Sequence, residues 1–366
     1  MDKVLLKFKK IISNGYFWLA ALFIVNLLMA AFYISPGFQV RDDAATYQEA
    51  IKFIQGKHIE GLPPLNRLLT TPLLLLSTIT VDTLIHNPYY SIAFVNLIFF
   101  ILIILVFYKL AFEIFKEQVT AFLATVLFMS NYYLLGINNL FIADMAGRFF
   151  LILTNLLAVK YFLSEGNKKY FYLAILSSSI GVLFKEFGAL GMISLVILIA
   201  LSRFEWKKKI GLIIKASALF AIIPLLFHIL FYFKFHFSYF DWYSKNITLY
   251  PSDQHQYGLG LFIKVMGWLF LAGWPLFVWG LTQAKKFLDK QKFLILAGLL
   301  PASLAFFAWP MFMQRTAFVL VPWLSLIAGF GLAKIKNKYI IAVFIIIYLA
   351  VNYNIERLLP VINLPF

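Results

Sequence analysis

Two neighbouring carboxylates, Asp42 and Asp43, open a polar stretch that follows a long apolar segment. An Asp ahead of good helix formers is typical of a helix N-terminus, and the helical pattern continues to Gly56. In such a helix Tyr47 lies one turn after Asp43 on the same face. The acids either cap an interfacial helix or act as a general base. We expect the second role, because two negative charges beside a membrane span are costly without a function.

A third candidate acid, Asp144, lies in a polar break between two apolar segments, with Arg148 four residues later. One interpretation is structural: Asp144 begins the next helix and forms a salt bridge with Arg148 one turn on. The other is catalytic, with Asp144 facing the same aqueous space as Asp43. Both stay open. We therefore predict catalytic roles for Asp42, Asp43 and Asp144, and substrate-positioning roles for Tyr47 and Arg148.

Three cationic residues are candidates for binding a phosphate group. Arg315 has no acidic residue near it in the sequence, which indicates either a phosphate partner or contact with lipid headgroups. Lys185 and Glu186 interrupt an apolar stretch, either as a local ion pair or as functional groups at the end of a span. Arg67 follows in the first polar stretch. We predict that Lys185, Arg315 and Arg67 bind phosphate and that Glu186 positions substrate.

Metal chemistry is only weakly indicated. The chain has no cysteine, which excludes disulfides and thiolate nucleophiles. Its five histidines include no pair at helical i, i+4 spacing, so a preformed zinc site is not expected. Two or three carboxylates near a phosphate could hold Mg²⁺ or Mn²⁺. A divalent metal is therefore a candidate cofactor, and the sequence does not identify its ligands.

The composition indicates that the candidate residues are positioned by the helices of a membrane protein. Of the 366 residues 62% are hydrophobic and only 13% are charged. Apolar runs near the length of a bilayer span recur along the chain. We predict one all-α integral membrane domain over residues 1–366, a polytopic transmembrane helix bundle of about eleven spans. The spans are predicted near 16–34, 89–111, 119–137, 147–163, 170–184, 188–202, 209–233, 260–281, 293–308, 316–333 and 339–352.

The net charge of +16 is concentrated in short lysine clusters between the apolar runs. Such clusters indicate topology and contact with the lipid bilayer, and no nucleic acid partner is expected. If every predicted segment crosses, all clusters fall on one side, which places the N-terminus in the cytosol. Two long loops then face outward, at 35–88 and 235–258. The clusters are represented by Lys9, Lys116, Lys168, Lys208, Lys286 and Lys336.

The apolar run at 68–85 is left out of the spans. It carries several Thr residues and Asp82, and counting it as a span would put Asp144 on the opposite side from Asp43. We expect helices lying in the outer interface or against the bundle. A true span, compensated elsewhere, remains the alternative.

The first-loop pattern resembles a known signature. Asp43-x-x-x-Tyr47, followed by Ala50 and Gly56, is similar to the first loop of the GT-C class of membrane glycosyltransferases. The branch it resembles contains protein O-mannosyltransferases and lipid A aminoarabinose transferases. Asn66-Arg67 resembles the end of that loop, and Asp144, Lys185 and Arg315 match the family's second acid and phosphate-facing cations in placement. Many members carry Asp-Glu where this chain has Asp42-Asp43, so either acid could be the base.

This resemblance implies an enzyme. Members move a sugar from a polyprenyl-phosphate donor to an acceptor hydroxyl on a glycan, lipid or protein, with inversion and with an Asp as general base. The site would lie on the extracytoplasmic face of a multi-pass membrane protein. The abundance of Ile, Phe, Lys and Asn is typical of an AT-rich prokaryotic genome, so we expect a prokaryotic plasma membrane. The alternative is a transporter or flippase for lipid-linked sugars, which should carry ionisable residues near mid-bilayer.

Overall fold

The computed structural model describes residues 20–26, 43–56, 63–135, 142–249, 259–308 and 314–354, and regular structure in these ranges is helical throughout. A helical segment at 20–26 precedes the first labelled helix. Short 3-10 turns lie at Glu186–Leu190, Ala305–Ala308 and Phe318–Leu320. The helices are α1 (Asp43–Ile54), α2 (Pro63–Thr70), α3 (Pro72–Ile85), α4 (Pro88–Phe115), α5 (Gln118–Met129), α6 (Tyr132–Leu135), α7 (Asp144–Leu163), α8 (Lys168–Phe184), α9 (Gly191–Leu201), α10 (Trp206–Phe235), α11 (Tyr239–Leu249), α12 (Leu259–Phe270), α13 (Gly273–Phe287), α14 (Lys290–Leu304), α15 (Gln314–Ala317), α16 (Val321–Ala333) and α17 (Lys338–Tyr353).

Several of these helices can cross a bilayer. Within the described ranges five are long and apolar enough: α4, α7, α10, α14 extended to Phe307, and the run Arg315–Ala333. The protein is therefore an all-α, multi-pass integral membrane protein, as the composition predicts. The count of eleven is not confirmed, because α5, α17 and the segment Glu186–Leu201 are apolar but shorter. The 12 residues of α5 extend about 18 Å, against a hydrocarbon core of about 30 Å.

The predicted span at 260–281 is not one straight helix. It consists of α12 and α13, which meet at an angle of 83°. Leu271, at the break, has a φ of 44°, so the backbone leaves the right-handed helical region there. Asn131 Nδ2 donates to the Leu269 carbonyl at 2.9 Å, which fixes the end of α12 beside the end of α5. Of these two helices, α13 makes the more extensive contact with α16.

The run at 68–85 also breaks into two helices. The first, α2, ends at Thr70, and Pro72 begins α3. With 14 residues α3 is about 21 Å long, too short to cross the hydrocarbon core alone. It packs against α1 and α4. This length favours the interfacial interpretation of the run.

Close helix contacts hold the centre of the bundle. A Cβ added to Gly280 of α13 would lie 2.2 Å from the Ile327 carbonyl oxygen. One added to Gly331 of α16 would lie 2.5 Å from the Cα of Gly280. The two helices therefore approach closely because both positions lack a side chain.

The two ends of α7 differ in chemistry. Near its C-terminus Lys160 pairs with Glu113 at 3.2 Å, and in the same region Lys334 pairs with Glu117 at 3.1 Å. Burial raises the pKa of Glu117, but hydrogen bonds from Thr120 and Lys334 outweigh it and the net shift is downward. Asp144 begins α7 at the other end, about 24 Å from Lys160 along the helix. The lysine-rich loops and Asp144 thus lie at opposite ends of the bundle.

Candidate active site

Asp144 is held by two arginines. Its side chain is only 1% exposed. Arg315 contacts both carboxylate oxygens, with Nε 2.6 Å from Oδ2 and Nη2 2.9 Å from Oδ1. Arg148 Nη2 adds a third contact, 3.2 Å from Oδ2. Sequence reasoning predicts the Arg148 pair, while the contact with Arg315 brings together residues 171 positions apart.

Arg148 is buried against aromatic rings. Its guanidinium carbon lies 4.4 Å from the centre of the Phe318 ring and 5.3 Å from that of Tyr133. Both contacts are within the range of cation–π attraction. Its Nε and Nη1 atoms are buried and have no hydrogen-bond partner in the part of the chain that the structure describes. Two arginines against one carboxylate leave the cluster with a net charge of +1.

Lys185 lies beside this cluster. It follows α8 in an extended conformation, and its Nζ is 2.9 Å from Glu186 Oε1. The side chains of Lys185 and Glu186 are only 12% and 18% exposed. A Cβ added to Gly147, in the first turn of α7, would lie 2.6 Å from the Lys185 Cβ. Lys185 is close enough to Asp144 for a direct electrostatic effect. The predicted local ion pair between Lys185 and Glu186 is therefore present, and the role of Lys185 in binding phosphate stays a prediction.

A contact between two glycines fixes the turn that carries Lys185. A Cβ added to Gly188 would lie 2.3 Å from the carbonyl carbon of Gly181. Ser178 Oγ donates to the Gly188 carbonyl at 2.7 Å. The turn is thus pressed onto α8 and has no room for a larger residue.

The first-loop helix α1 packs onto the same region. Tyr47 is fully buried, and its hydroxyl is hydrogen-bonded to the Thr71 hydroxyl. Ala143, which precedes Asp144, belongs to the same buried apolar cluster as Tyr47. Phe184, which precedes Lys185, packs against that cluster. One apolar cluster therefore joins α1 to the chain segments that carry Asp144 and Lys185.

Asp43 is the first residue of α1, one turn before Tyr47, as predicted. The Asp43 side chain and all of Asp42 lie outside the described residues. Their roles stay predictions.

Arg67 contacts α1. Its Nε donates to Thr46 Oγ1 at 2.8 Å, and its guanidinium carbon lies 5.3 Å from the centre of the Tyr47 ring. These contacts brace α1 against α2. The predicted role of Arg67 in binding phosphate remains a prediction, and bracing α1 is an additional role that the sequence does not indicate.

Two aromatic residues of α11 lie near the site, and the sequence analysis did not identify them. The rings of Tyr239 and Trp242 are 4.8 Å apart. Although Tyr239 is 37% exposed, the partial burial of its side chain raises its pKa, and the carboxylate of Glu186 raises it further. Tyr239 therefore lies near Glu186. Only the general enrichment of Tyr and Trp at membrane interfaces could have signalled them.

A metal site is not identified. The described residues contain no group of three or more His, Asp or Glu side chains that could hold an ion. Both oxygens of Asp144 already accept hydrogen bonds from arginine, which argues against Asp144 as a metal ligand. Involvement of a divalent metal stays a prediction.

Part of the sequence matches a known family. Residues 71–228 match the family model described as dolichyl-phosphate-mannose-protein mannosyltransferase. This stretch contains Asp144, Arg148, Lys185 and Glu186, and it excludes Asp43 and Arg315. No curated protein matches the chain in a sequence comparison.

The fold matches solved structures more broadly. ArnT from Cupriavidus metallidurans, in a crystal structure with bound undecaprenyl phosphate, superimposes with a TM-score of 0.66 at 13% identity. The match covers 87% of this chain and 60% of ArnT, so this chain spans about three-fifths of the length of that protein. The apo structure of the same protein gives a TM-score of 0.65 at 14% identity, with the same coverage. The fold expected from the resemblance to the GT-C class is therefore confirmed: over 87% of its length this chain shares the fold of ArnT.

Proposed function

We propose that this chain is a glycosyltransferase that moves a sugar from a polyprenyl-phosphate donor to an acceptor hydroxyl on the extracytoplasmic face of the membrane. The observation that carries the proposal is the pair of Arg315 and Asp144 beside Lys185. It supplies a positive, partly accessible site at the end of the bundle opposite the lysine-rich loops.

The leaving phosphate is the group that this site would stabilise. When the acceptor hydroxyl attacks the anomeric carbon, the bond from that carbon to the phosphate oxygen breaks and the phosphate gains negative charge. Arg315 is 30% exposed, so part of its guanidinium can reach a ligand while Asp144 holds the rest. Lys185 adds a second cation. Preorganised cations of this kind stabilise developing charge without having to reorganise.

In this mechanism Asp144 positions Arg315. A carboxylate that accepts three hydrogen bonds from two guanidinium groups is a poor proton acceptor. The general base is therefore assigned to the pair at the start of α1, Asp43 or Asp42. Displacement in one step by the acceptor would invert the anomeric centre.

A lipid-linked donor fits a site at the end of a membrane bundle. Its polyprenyl tail stays in the bilayer while the sugar reaches water. The family match over residues 71–228 and the undecaprenyl phosphate bound to ArnT both support this donor class. The sugar and the acceptor are left open.

Transport is the competing function. A transporter or flippase would place ionisable groups along a central path. The charged residues that form the cluster here, Asp144, Arg148 and Arg315, lie within the first turns of α7 and α15. An enzyme at one end of the bundle is the better fit.

The direct test is transfer by purified protein in liposomes that contain a polyprenyl-phosphate sugar. We expect Asp43→Asn to lower transfer at least a thousandfold with unchanged protein abundance. Asp82→Asn, at the far end of α3, is the matched control and should keep full activity. Full activity of Asp43→Asn together with Asp42→Asn would exclude the assigned base. Uptake of sugar lipid into sealed vesicles without transfer would favour the flippase.

A further inference from the structure

A cavity lies at the lysine-rich end of the bundle, away from the proposed active site. Its volume is about 640 Å³. The last turn of α7, the turn at Glu165–Gly166, the end of α9 and the first turn of α14 surround it. Tyr161, on its wall, is about 25 Å along α7 from Asp144. A cavity of this size is in the range of small-molecule and cofactor sites, about 300–1,000 Å³.

Two cations at its rim have no side-chain partner among the residues that the structure describes. Arg203 and Lys290 line the cavity. Neither forms an ion pair or a hydrogen bond through its side chain with any described residue. Some lysines at this end are engaged: Lys160 with Glu113, Lys292 with Asp289 and Lys334 with Glu117. Others, such as Lys207 and Lys336, are exposed and form no side-chain pair with a described residue. What distinguishes Arg203 and Lys290 is that both line the same cavity, where two cations would suit a phosphate.

The rest of the lining is amphipathic. Phe162, Leu201 and Leu294 contribute apolar walls from the ends of membrane helices. Phe204 closes one side, because its ring lies against Gly166, where an added Cβ would be 2.5 Å away. A polar rim above apolar walls matches a molecule with a charged head and a hydrocarbon body.

We propose that this cavity binds the headgroup of a membrane phospholipid, with its phosphate between Arg203 and Lys290. The lipid comes from the leaflet that meets the lysine-rich end, where basic pockets between helices bind anionic headgroups. Its first acyl carbons contact Phe162, Leu201 and Leu294. The carboxylate of Glu165 also lines the cavity and accepts hydrogen bonds from the hydroxyl groups of a glycerol headgroup.

The test is lipid retention by the full-length protein. Purified protein is equilibrated with phosphatidylglycerol in mixed micelles, and bound lipid is counted by native mass spectrometry. We expect the double variant Arg203→Ala/Lys290→Ala to retain at least tenfold less phosphatidylglycerol than the unaltered protein. The control Lys207→Ala/Lys336→Ala removes the same charge from positions at the same end that do not line the cavity, and it should retain the normal amount.

Equal retention by the two double variants would overturn the proposal. The charge-preserving swap Arg203→Lys/Lys290→Arg should keep most of the phosphatidylglycerol binding. That result would show that the double alanine variant loses lipid because it loses charge and not because it misfolds. Soluble glycerol phosphate at millimolar concentration identifies the source of the phosphate. If it displaces phosphatidylglycerol, the site belongs to a water-soluble phosphate compound and the lipid assignment is wrong.

Discussion

Asp144 and Arg315 form a bidentate salt bridge between two segments 171 residues apart, with nitrogen–oxygen distances of 2.6 and 2.9 Å. The bridge joins the start of α7 to the segment that precedes α16. It makes the buried acid an anchor for Arg315, whose side chain stays 30% exposed while that of Asp144 is only 1% exposed. The proposed chemistry depends on this arrangement.

The first prediction concerns stability. Asp144→Asn removes the counter-charge of two arginines, and Arg148 is only 2% exposed. Loss of one partner of a buried ion pair costs about 3–5 kcal/mol. Arg315→Ala should cost less, because Arg148 still pairs with Asp144. Thermal unfolding in detergent measures both. A larger loss for Arg315→Ala than for Asp144→Asn would contradict the assignment of Asp144 as the anchor.

The second prediction separates phosphate binding from folding. Arg315→Lys keeps the charge but loses the two-pronged contact with Asp144, because an ammonium group cannot reproduce the guanidinium fork. We expect kcat/KM for the lipid donor to fall about tenfold, equivalent to about 1.4 kcal/mol of transition-state stabilisation, while the KM for the acceptor stays constant. Steady-state kinetics with each substrate varied in turn would test this. A change confined to the acceptor KM would place Arg315 elsewhere in the reaction.

The third prediction concerns the turn that carries Lys185. Gly188→Ala would place a methyl group 2.3 Å from the Gly181 carbonyl carbon, so the turn must move. Overpacking of this kind costs about 1–3 kcal/mol, and we expect transfer to fall at least tenfold as Lys185 shifts. Gly211→Ala, in α10, meets open space and is the matched control. Equal activity of the two variants would mean that the position of Lys185 does not matter.

Sequence predicts the parts of the site that depend on local spacing. Asp144 and Arg148 lie four residues apart, so a helix alone brings them together. The same holds for Asp43 and Tyr47 in α1. Charge patterning predicts that Asp144 and the lysine loops lie at opposite ends of the bundle.

Sequence does not predict the parts that depend on tertiary contacts. No local pattern identifies Arg315 as the partner of Asp144, or Phe318 as the ring beneath Arg148. The 83° bend between α12 and α13 is also not predicted, because the sequence of an apolar run of span length does not distinguish a straight helix from a broken one. Tertiary packing decides these features.

The central claim is that the acids of α1 and the Asp144–Arg315 pair share one aqueous face, opposite the lysine loops. The chain has no cysteine, so single cysteines can be placed at Asp43, Arg315 and Lys336 and labelled with a membrane-impermeant maleimide on intact cells. We predict that Asp43→Cys and Arg315→Cys react from outside, and that Lys336→Cys reacts only after the membrane is opened. Labelling of positions 43 and 315 from opposite sides would contradict the proposed active site.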